Sequence, residues 1–474
     1  MASQESLWSI SEIKLALKDQ IISVGKIESA INQVVIDSRS KTDNGLFVAF
    51  EGEFNDGHDY LHSAFDNGCV AAIVDKIPEQ FAGDQRLILV KNSLEALDQL
   101  AIFSRNRISG KIIAVTGSAG KTSVKEMLKK VFSSQGKTFG TVGNFNNRFG
   151  LPVSLCNMPR DVDFGVLEMG MSYAGELTKL SKIARPHIAI ITNVCAAHIG
   201  NFENEEGIAL AKSEIFVGLV EGGFALINAD NIHFEFLKKQ ALEVKIPTEN
   251  IISFGSNAIS DVKLLSISEA ENFCSEVDIL LTKKDKKINY VVNSISRTTI
   301  ANSLIAISCL NLIGKYFLRG LKVFKNLETP KGRGNTIHVE KNNIKFTIID
   351  DSYNANSSSM KAGLQYLCDL KNHQNKSRSI AFIGDMLELG KFSDKEHREI
   401  VDHVIDLNID LVLLVGEEMQ KLTTHLNSKK LIGNFANSSE ACEDIDFIPQ
   451  NGDIIFVKGS RGIGMEKLIE KILK

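Results

Sequence analysis

The sequence predicts an α/β protein of three domains: a central P-loop domain built on a parallel mononucleotide-binding sheet, a small α/β domain before it and a Rossmann-like domain after it. Three observations carry this. Short apolar runs alternate with amphipathic helical patterns along all 474 residues, the rhythm of strands joined by crossover helices. The stretch "KIIAVTGSAGKTSVKEMLKKVF" places a buried strand, a glycine turn and a helix in direct succession. Two polar junctions, "FSRNRISGK" at 103–111 and "NLETPKGRGN" at 326–335, divide the chain into 1–107, 108–328 and 329–474 and offer hinges for domain closure.

Taken in order, the first segment carries three short strands, in "VVIDSRS", "GLFVAFEG" and "AAIVD". In the central segment the strand Ile112–Val115 leads into a helix whose Val124, Met127, Leu128, Val131 and Phe132 fall at i, i+3, i+4, i+7 and i+8, one apolar face. "FGVLEMG" and "HIAIITNV" follow as buried strands, and "EVDILLTKKDKKINYVV" as a charged, strand-like stretch. The last segment repeats strand then helix from "IKFTIIDD", "SRSIAFIGD", "LVLLVG" and "DIIFVKGSR". Strands ending on Gly, Asp or Ser suit a doubly wound sheet, where ligands bind at the carboxyl edge.

Bulk properties narrow the function. A net charge of −4 gives no electrostatic case for nucleic acid or an anionic membrane as partner. Seven scattered cysteines without a C-x-x-C pair read as reduced thiols, neither a zinc site nor a disulfide framework. The start lacks a basic, apolar leader, and no apolar run suffices for membrane insertion. A cytoplasmic monomer is expected.

The glycine turn is the most specific signal. Gly117, Ser118, Ala119, Gly120, Lys121, Thr122 and Ser123 form a G-x-x-G-K-T loop, shorter by one glycine than the general phosphate-loop pattern. Such a loop aims backbone amides and a helix N-terminus at phosphate oxygens; Lys121 would neutralise the β- and γ-phosphates and the Thr122 hydroxyl would ligate Mg²⁺. The alternative is a glycine-rich turn with a surface lysine. Glu168 closes an apolar strand where a core residue is expected, and a buried carboxylate needs a cation or a hydrogen-bonded partner. His198 follows the next strand, so both can reach the edge that carries the loop.

"TGSAGKTS", "GNFNNRFGLPVSL", "LEMGMSYAGEL", "ARPHIAIITNVCAAHIGNF", "AKSEIF", "PKGRG", "DDSYNAN", "GDMLELG" and "VKGSRGIGME" occur in that order. Together they resemble the Mur ligase family. The resemblance implies ATP-dependent amide ligation, joining D-alanyl-D-alanine to UDP-N-acetylmuramoyl-tripeptide through an acyl phosphate in cell-wall precursor synthesis. It also implies that Lys212 is carbamylated by CO₂, and that Lys212 and His198 hold one Mg²⁺ while Thr122 and Glu168 hold another. Asn302 matches an adenine contact, Arg333 a phosphate contact and Asp351 a ribose contact. Asn144, Asn147, Asn354 and Asn356 are candidate substrate residues, with Ser38 and Arg39 at the uridine end. Lys458 and Arg461 offer charge for a substrate carboxylate. Two positions depart from the family pattern: "SRTT" replaces a His-Asn pair before Asn302, and no proline follows Asn356.

Sister activities share this ATP apparatus. A ligase adding the third peptide residue is disfavoured by the lack of a D-N-P-R motif, and folylpolyglutamate synthase by the 107 residues that precede the central segment. An ATP-hydrolysing switch protein remains the rival from another class.

Overall fold

In a computed structural model, which describes residues 6–474 apart from 53, 144, 197–198, 272 and 374–376, the strands gather into three sheets. The first is five-stranded, in the order Ile21–Val24, Leu87–Val90, Cys69–Val74, Gly45–Val48, Gln33–Val35; only its first pair is antiparallel. The third is six-stranded: Asn335–Lys341, Ile344–Asp350, Ile454–Lys458, Ser379–Gly384, Leu411–Val415, Leu431–Phe435, again antiparallel only at its first pair. Buried crossover helices explain why the inner strands read as unbroken apolar runs: both faces of a parallel sheet are covered.

The central sheet has nine strands. Lys111–Thr116 lies between Ile188–Ile191 and Phe164–Glu168, and Thr138–Gly140 forms the edge beyond. On the other side Phe224–Asn228, Ile251–Gly255 and Val262–Ala270 continue in parallel. The charged stretch expected as strand-like is two strands. Cys274–Leu281 and Lys286–Val292 form an antiparallel hairpin that ends the sheet. Their alternation of buried and exposed residues shows why charge is tolerated there, one face meeting solvent.

Long-range contacts bind the first two units. Trp8 is fully buried, donates Nε1–H to the Cys156 carbonyl (2.9 Å) and lies under the Arg107 guanidinium, 3.8 Å from its ring centre. Asn157 extends the edge strand of the first sheet, accepting from Val34 N and donating to Val34 O, both at 2.8 Å. Arg105 is buried at the junction expected to act as a hinge. It donates to the carbonyls of Ala184 (2.6 Å), Arg185 (2.8 Å) and Ile108 (3.2 Å), neutralising the negative end of the helix Glu176–Ala184. Burial, with a smaller push from Arg185, lowers its pKa to about 10. These bonds hold residues 103–111 in place. The 326–335 junction bends through Gly332 and Gly334, both left-handed (φ +73° and +86°), and is tied to the third sheet by Gly334 N donating to Asp350 O at 2.8 Å. Among the described residues no helix is long and apolar enough to cross a membrane.

Candidate active site

Register brings three strand ends together. Val115 pairs with Glu168 and Thr116 with Ile191, so whatever leaves these strands arrives at one edge of the central sheet. Gly117 comes next, at φ +150°, and a Cβ there would sit 1.9 Å from Thr192 Oγ1. A side chain at this position would have to displace the Thr192 hydroxyl. Gly120 (φ +82°) then turns the backbone into the helix Lys121–Ser133.

The neighbouring strand end staples this loop. Ser118 Oγ donates to the Cys195 carbonyl (2.9 Å) and accepts from its amide (3.0 Å). Asn193 Oδ1 accepts from Ala119 N (2.8 Å), and Thr192 Oγ1 donates to Ala119 O (2.6 Å). Lys121 folds over the loop, its Nζ donating to Gly117 O at 2.7 Å. Burial pulls its pKa below the usual lysine range; Glu168 opposes this, and the Arg333 charge adds to it.

Glu168 is 2% exposed. Its Oε1 accepts from Asn146 Nδ2 (2.8 Å), while Oε2 is buried with no hydrogen-bond partner among the described residues. A buried carboxylate oxygen left in that state is costly, and a hard cation satisfies it. Lys212 lies on the helix Glu205–Ser213, whose start Asn204 caps through Gly207 N. It too is 2% exposed and makes no ion pair among the described residues. Burial holds its pKa well below the lysine range, the Lys121 charge lowers it further, and Cys195 opposes.

The third sheet supplies the facing wall. Arg333 Nη2 donates to Thr122 Oγ1 (3.1 Å), leaving the hydroxyl oxygen a second lone pair, and Asn356 Nδ2 donates to Ser118 O (3.2 Å). Asp351 pairs with Lys458 at 2.7 Å; the lysine, 2% exposed, also donates to Asn354 O at 2.8 Å. Burial raises the Asp351 pKa against the pull of Lys458, and lowers that of Lys458 against the pull of Asp351. The Tyr353 ring carries the Arg333 guanidinium at 4.0 Å and that of Arg461 at 5.5 Å. Between the walls lies a cavity of about 780 Å³, lined by the loop Ser118–Ser123, Glu168, Asn302, Arg333, Asp351 and Lys458, among others.

Residues 115–310 match the Mur ligase middle domain, and residues 332–461 match the Mur ligase, glutamate ligase domain. Over 464 residues the chain is 33% identical to the UDP-N-acetylmuramoyl-tripeptide--D-alanyl-D-alanine ligase of Rickettsia prowazekii (strain Madrid E), with 98% of this chain and 99% of the relative covered. The chain belongs to the Mur ligase family. Crystal structure I of MurF from Acinetobacter baumannii matches this Mur ligase with a TM-score of 0.83 at 28% identity, covering 98% of each chain. The MurF ligase from Thermotoga maritima in complex with ADP matches with a TM-score of 0.77 at 26% identity, covering 93% of this chain and 97% of that one.

Of the residues singled out in the sequence, Ser118–Ser123, Asn147, Glu168, Asn302, Arg333, Asp351, Asn354, Asn356, Lys458 and Arg461 line this cavity of the ligase, and Gly117 does not. Lys212 lies behind it, close enough to Lys121 for their charges to interact. His198 and Asn144 lie outside the described residues. Ser38 and Arg39 do not line the cavity: the Ser38 carbonyl accepts from Asn67 Nδ2 (2.9 Å), and Arg39 forks onto Asp37 in solvent. Asn147 Oδ1 is engaged by Phe149 N (3.1 Å) and Gly150 N (2.9 Å), in the turn that leads into the helix Gly150–Cys156. Lys458, a candidate for a substrate carboxylate, lines the cavity as the counter-ion of Asp351. Sequence reasoning passed over Asn146, Thr192 and Asn193. The last two stand in "ITN", at the end of a strand already recognised, where polar side chains signal an edge.

One expected result follows from the loop's geometry. Gly117→Ala will destabilise the ligase by about 2–4 kcal/mol in urea denaturation, combining steric overlap with left-handed strain, and will weaken ADP binding. Adding Thr192→Ala removes the clash but not the strain, so recovery will be partial. A double variant as stable as wild type would show that the backbone angle costs nothing.

Proposed function

We propose that this ligase joins the free amine of D-alanyl-D-alanine to the terminal carboxylate of UDP-N-acetylmuramoyl-tripeptide, converting ATP to ADP and phosphate, as a cytoplasmic monomer supplying peptidoglycan precursors. The observation that carries the reading is the single cavity in which a phosphate loop faces a polar wall from another sheet, a donor side and an acceptor side in one enclosure. The named activity of full-length relatives supports it.

A carboxylate is a poor electrophile, so the γ-phosphoryl group passes to it first. The neutral amine then attacks the acyl carbon: a C–N bond forms, the C–O bond breaks with its electron pair leaving on phosphate, and the amine's surplus proton passes to solvent. Side-chain covalent chemistry is not needed; positioning and charge neutralisation do most of the work. Lys121 and Arg333 take phosphate charge, Asp351 the ribose and Asn302 the adenine. In this reading residues 1–107 take the uridine end through Ser38 and Arg39, 108–328 hold ATP, and 329–474 present the dipeptide, with Asn144, Asn147, Asn354 and Asn356 contacting substrate.

Thr122, Glu168, His198 and Lys212 would hold two Mg²⁺ ions. The fit rests on the orphaned Glu168 Oε2 and on a hard, oxygen-rich donor set. Lys212 joins that set only as a carbamate, since an ammonium would repel the ion. Bound there, Mg²⁺ supplies charge neutralisation at the phosphoryl oxygens.

Phosphate release is the test, measured with D-alanyl-D-alanine and with UDP-tripeptides ending in lysine or diaminopimelate. Release requiring both dipeptide and UDP-peptide is expected. Release indifferent to both would mean an ATP-hydrolysing switch.

A further inference from the structure

The "GDMLELG" stretch has no role in the chemistry above, yet Leu387, Glu388 and Leu389 line the cavity. Its backbone is unusual. Glu388, not a glycine, is left-handed at φ +63°, and Gly390 follows at φ +53°. A left-handed non-glycine residue persists only where its surroundings enforce it. Here the result is a carbonyl aimed across the domain boundary: Glu388 O accepts from Gly200 N at 3.1 Å. The two segments touch through glycines. A Cβ on Gly200 would stand 3.0 Å from Glu388 O and 3.2 Å from Gly390 N, and one on Gly390 would stand 3.1 Å from Gly200 Cα. Gly200 lies two residues beyond His198, the imidazole of the proposed metal set.

Behind the loop, two adjacent residues at the start of the helix Ser393–Asp406 fix its shape. His397, 1% exposed, accepts from Met386 N through Nε2 (2.9 Å); Nδ1–H donates to Ser393 O (2.8 Å), which sets the tautomer. Glu396, 8% exposed, accepts from Ser357 Oγ, the first residue of the helix Ser357–His373. Ser357 occupies the position after Asn356 where the family pattern has proline. On the far side Ser460 closes the ring, its Oγ accepting from Leu387 N (2.9 Å) and its amide donating to Asp385 O (2.9 Å).

We infer that residues 385–390 form an interdomain clasp closed on Gly200, and that His397 and Glu396 are positioning residues for ligation, holding the clasp and the Asn354–Asn356 turn in one rigid unit. The clasp sets the distance between the C-terminal wall and the segment after His198. The kinetic part of this inference rests on the ligase reading above; the geometric part does not.

Hydrogen–deuterium exchange on the full chain, read over residues 199–202, is paired with steady-state ligation for Gly200→Ala, His397→Leu and His397→Gln. Gly200 is not left-handed, so alanine suits its own backbone and disturbs only the clasp. Gly200→Ala and His397→Leu should exchange faster at 199–202 and lose about 10–100-fold in kcat, as a displacement near 1 Å does, with KM for ATP changed by less than about twofold. His397→Gln, whose amide oxygen can still accept from Met386 N, should recover most of the loss. Unchanged exchange in Gly200→Ala and His397→Leu overturns the clasp, and faster exchange with wild-type kcat overturns its role in ligation. Exchange needs no substrate, so a wild-type chain that fails to ligate overturns the substrate assignment alone.

Discussion

Lys121→Ala will leave a folded ligase whose turnover falls by about 10²–10³-fold or more, the scale of removing one preorganised charge from a phosphoryl-transfer site. The lysine is the first residue of the helix that follows the glycine turn, and its ammonium is already drawn onto the loop by Gly117 O at 2.7 Å. It therefore sits where phosphate oxygens must lie if the loop cradles them. Burial lowers its pKa, Glu168 restores part of the loss and Arg333 works against it, so the folded chain gains little stability from this charge. Activity and stability should separate: a large fall in kcat, weaker ADP binding by calorimetry, and a melting temperature equal to or above that of wild type. A variant that binds ADP and turns over normally would remove the phosphate-loop assignment.

Lys212→Met will cost about 100-fold or more in turnover, because it deletes a proposed metal ligand that bears directly on transition-state charge. The chemistry depends on the amine being neutral. Its Nζ attacks CO₂, an N–C bond forms, and one proton leaves to solvent, giving an anionic carbamate. Burial, reinforced by the Lys121 charge, lowers the Lys212 pKa well below its ordinary 10.5, which enlarges the share of the reactive neutral form. Stripping CO₂ should therefore reduce turnover and bicarbonate restore it, more sharply as pH falls and the amine protonates. Carbon-13 bicarbonate should give a carbamate resonance in wild type that Lys212→Met lacks; an active enzyme without that resonance sinks the assignment.

The same shift fixes a sign for stability. A lysine whose pKa is lowered by folding binds fewer protons in the folded chain than in the unfolded one. Between the lowered value and 10.5 the folded state thus loses stability as pH falls. In metal-free, CO₂-stripped buffer at about pH 6, Lys212→Met should melt no lower than wild type, since it removes an amine that folding must either deprotonate or bury as a charge.

The phosphate loop was legible because every part of it is local. Strand, glycine turn and amphipathic helix are consecutive, and periodicity reports burial while glycine reports backbone angle. The strand end Glu168 was legible for a related reason: an acid that interrupts an apolar run must have a partner. Which asparagine of "GNFNN" meets Glu168 was not, because Asn146 is selected by the register of a loop across a strand end. Nor could the sequence show that the Asn147 amide oxygen accepts from Phe149 N and Gly150 N, or that Lys458 neutralises Asp351.

By itself, then, the chain's order of residues determined the α/β class, the strand–glycine turn–helix unit at 112–133, and the acid that ends an apolar strand at 168. Only the tertiary structure decided how those pieces meet. Arg333 reaches Thr122 across 211 residues, and Gly200 meets Glu388 across a domain boundary. Such contacts follow from strand order and from how one sheet docks on another. Hydrophobic period records which face of an element is buried, and it carries no information about which distant element buries it.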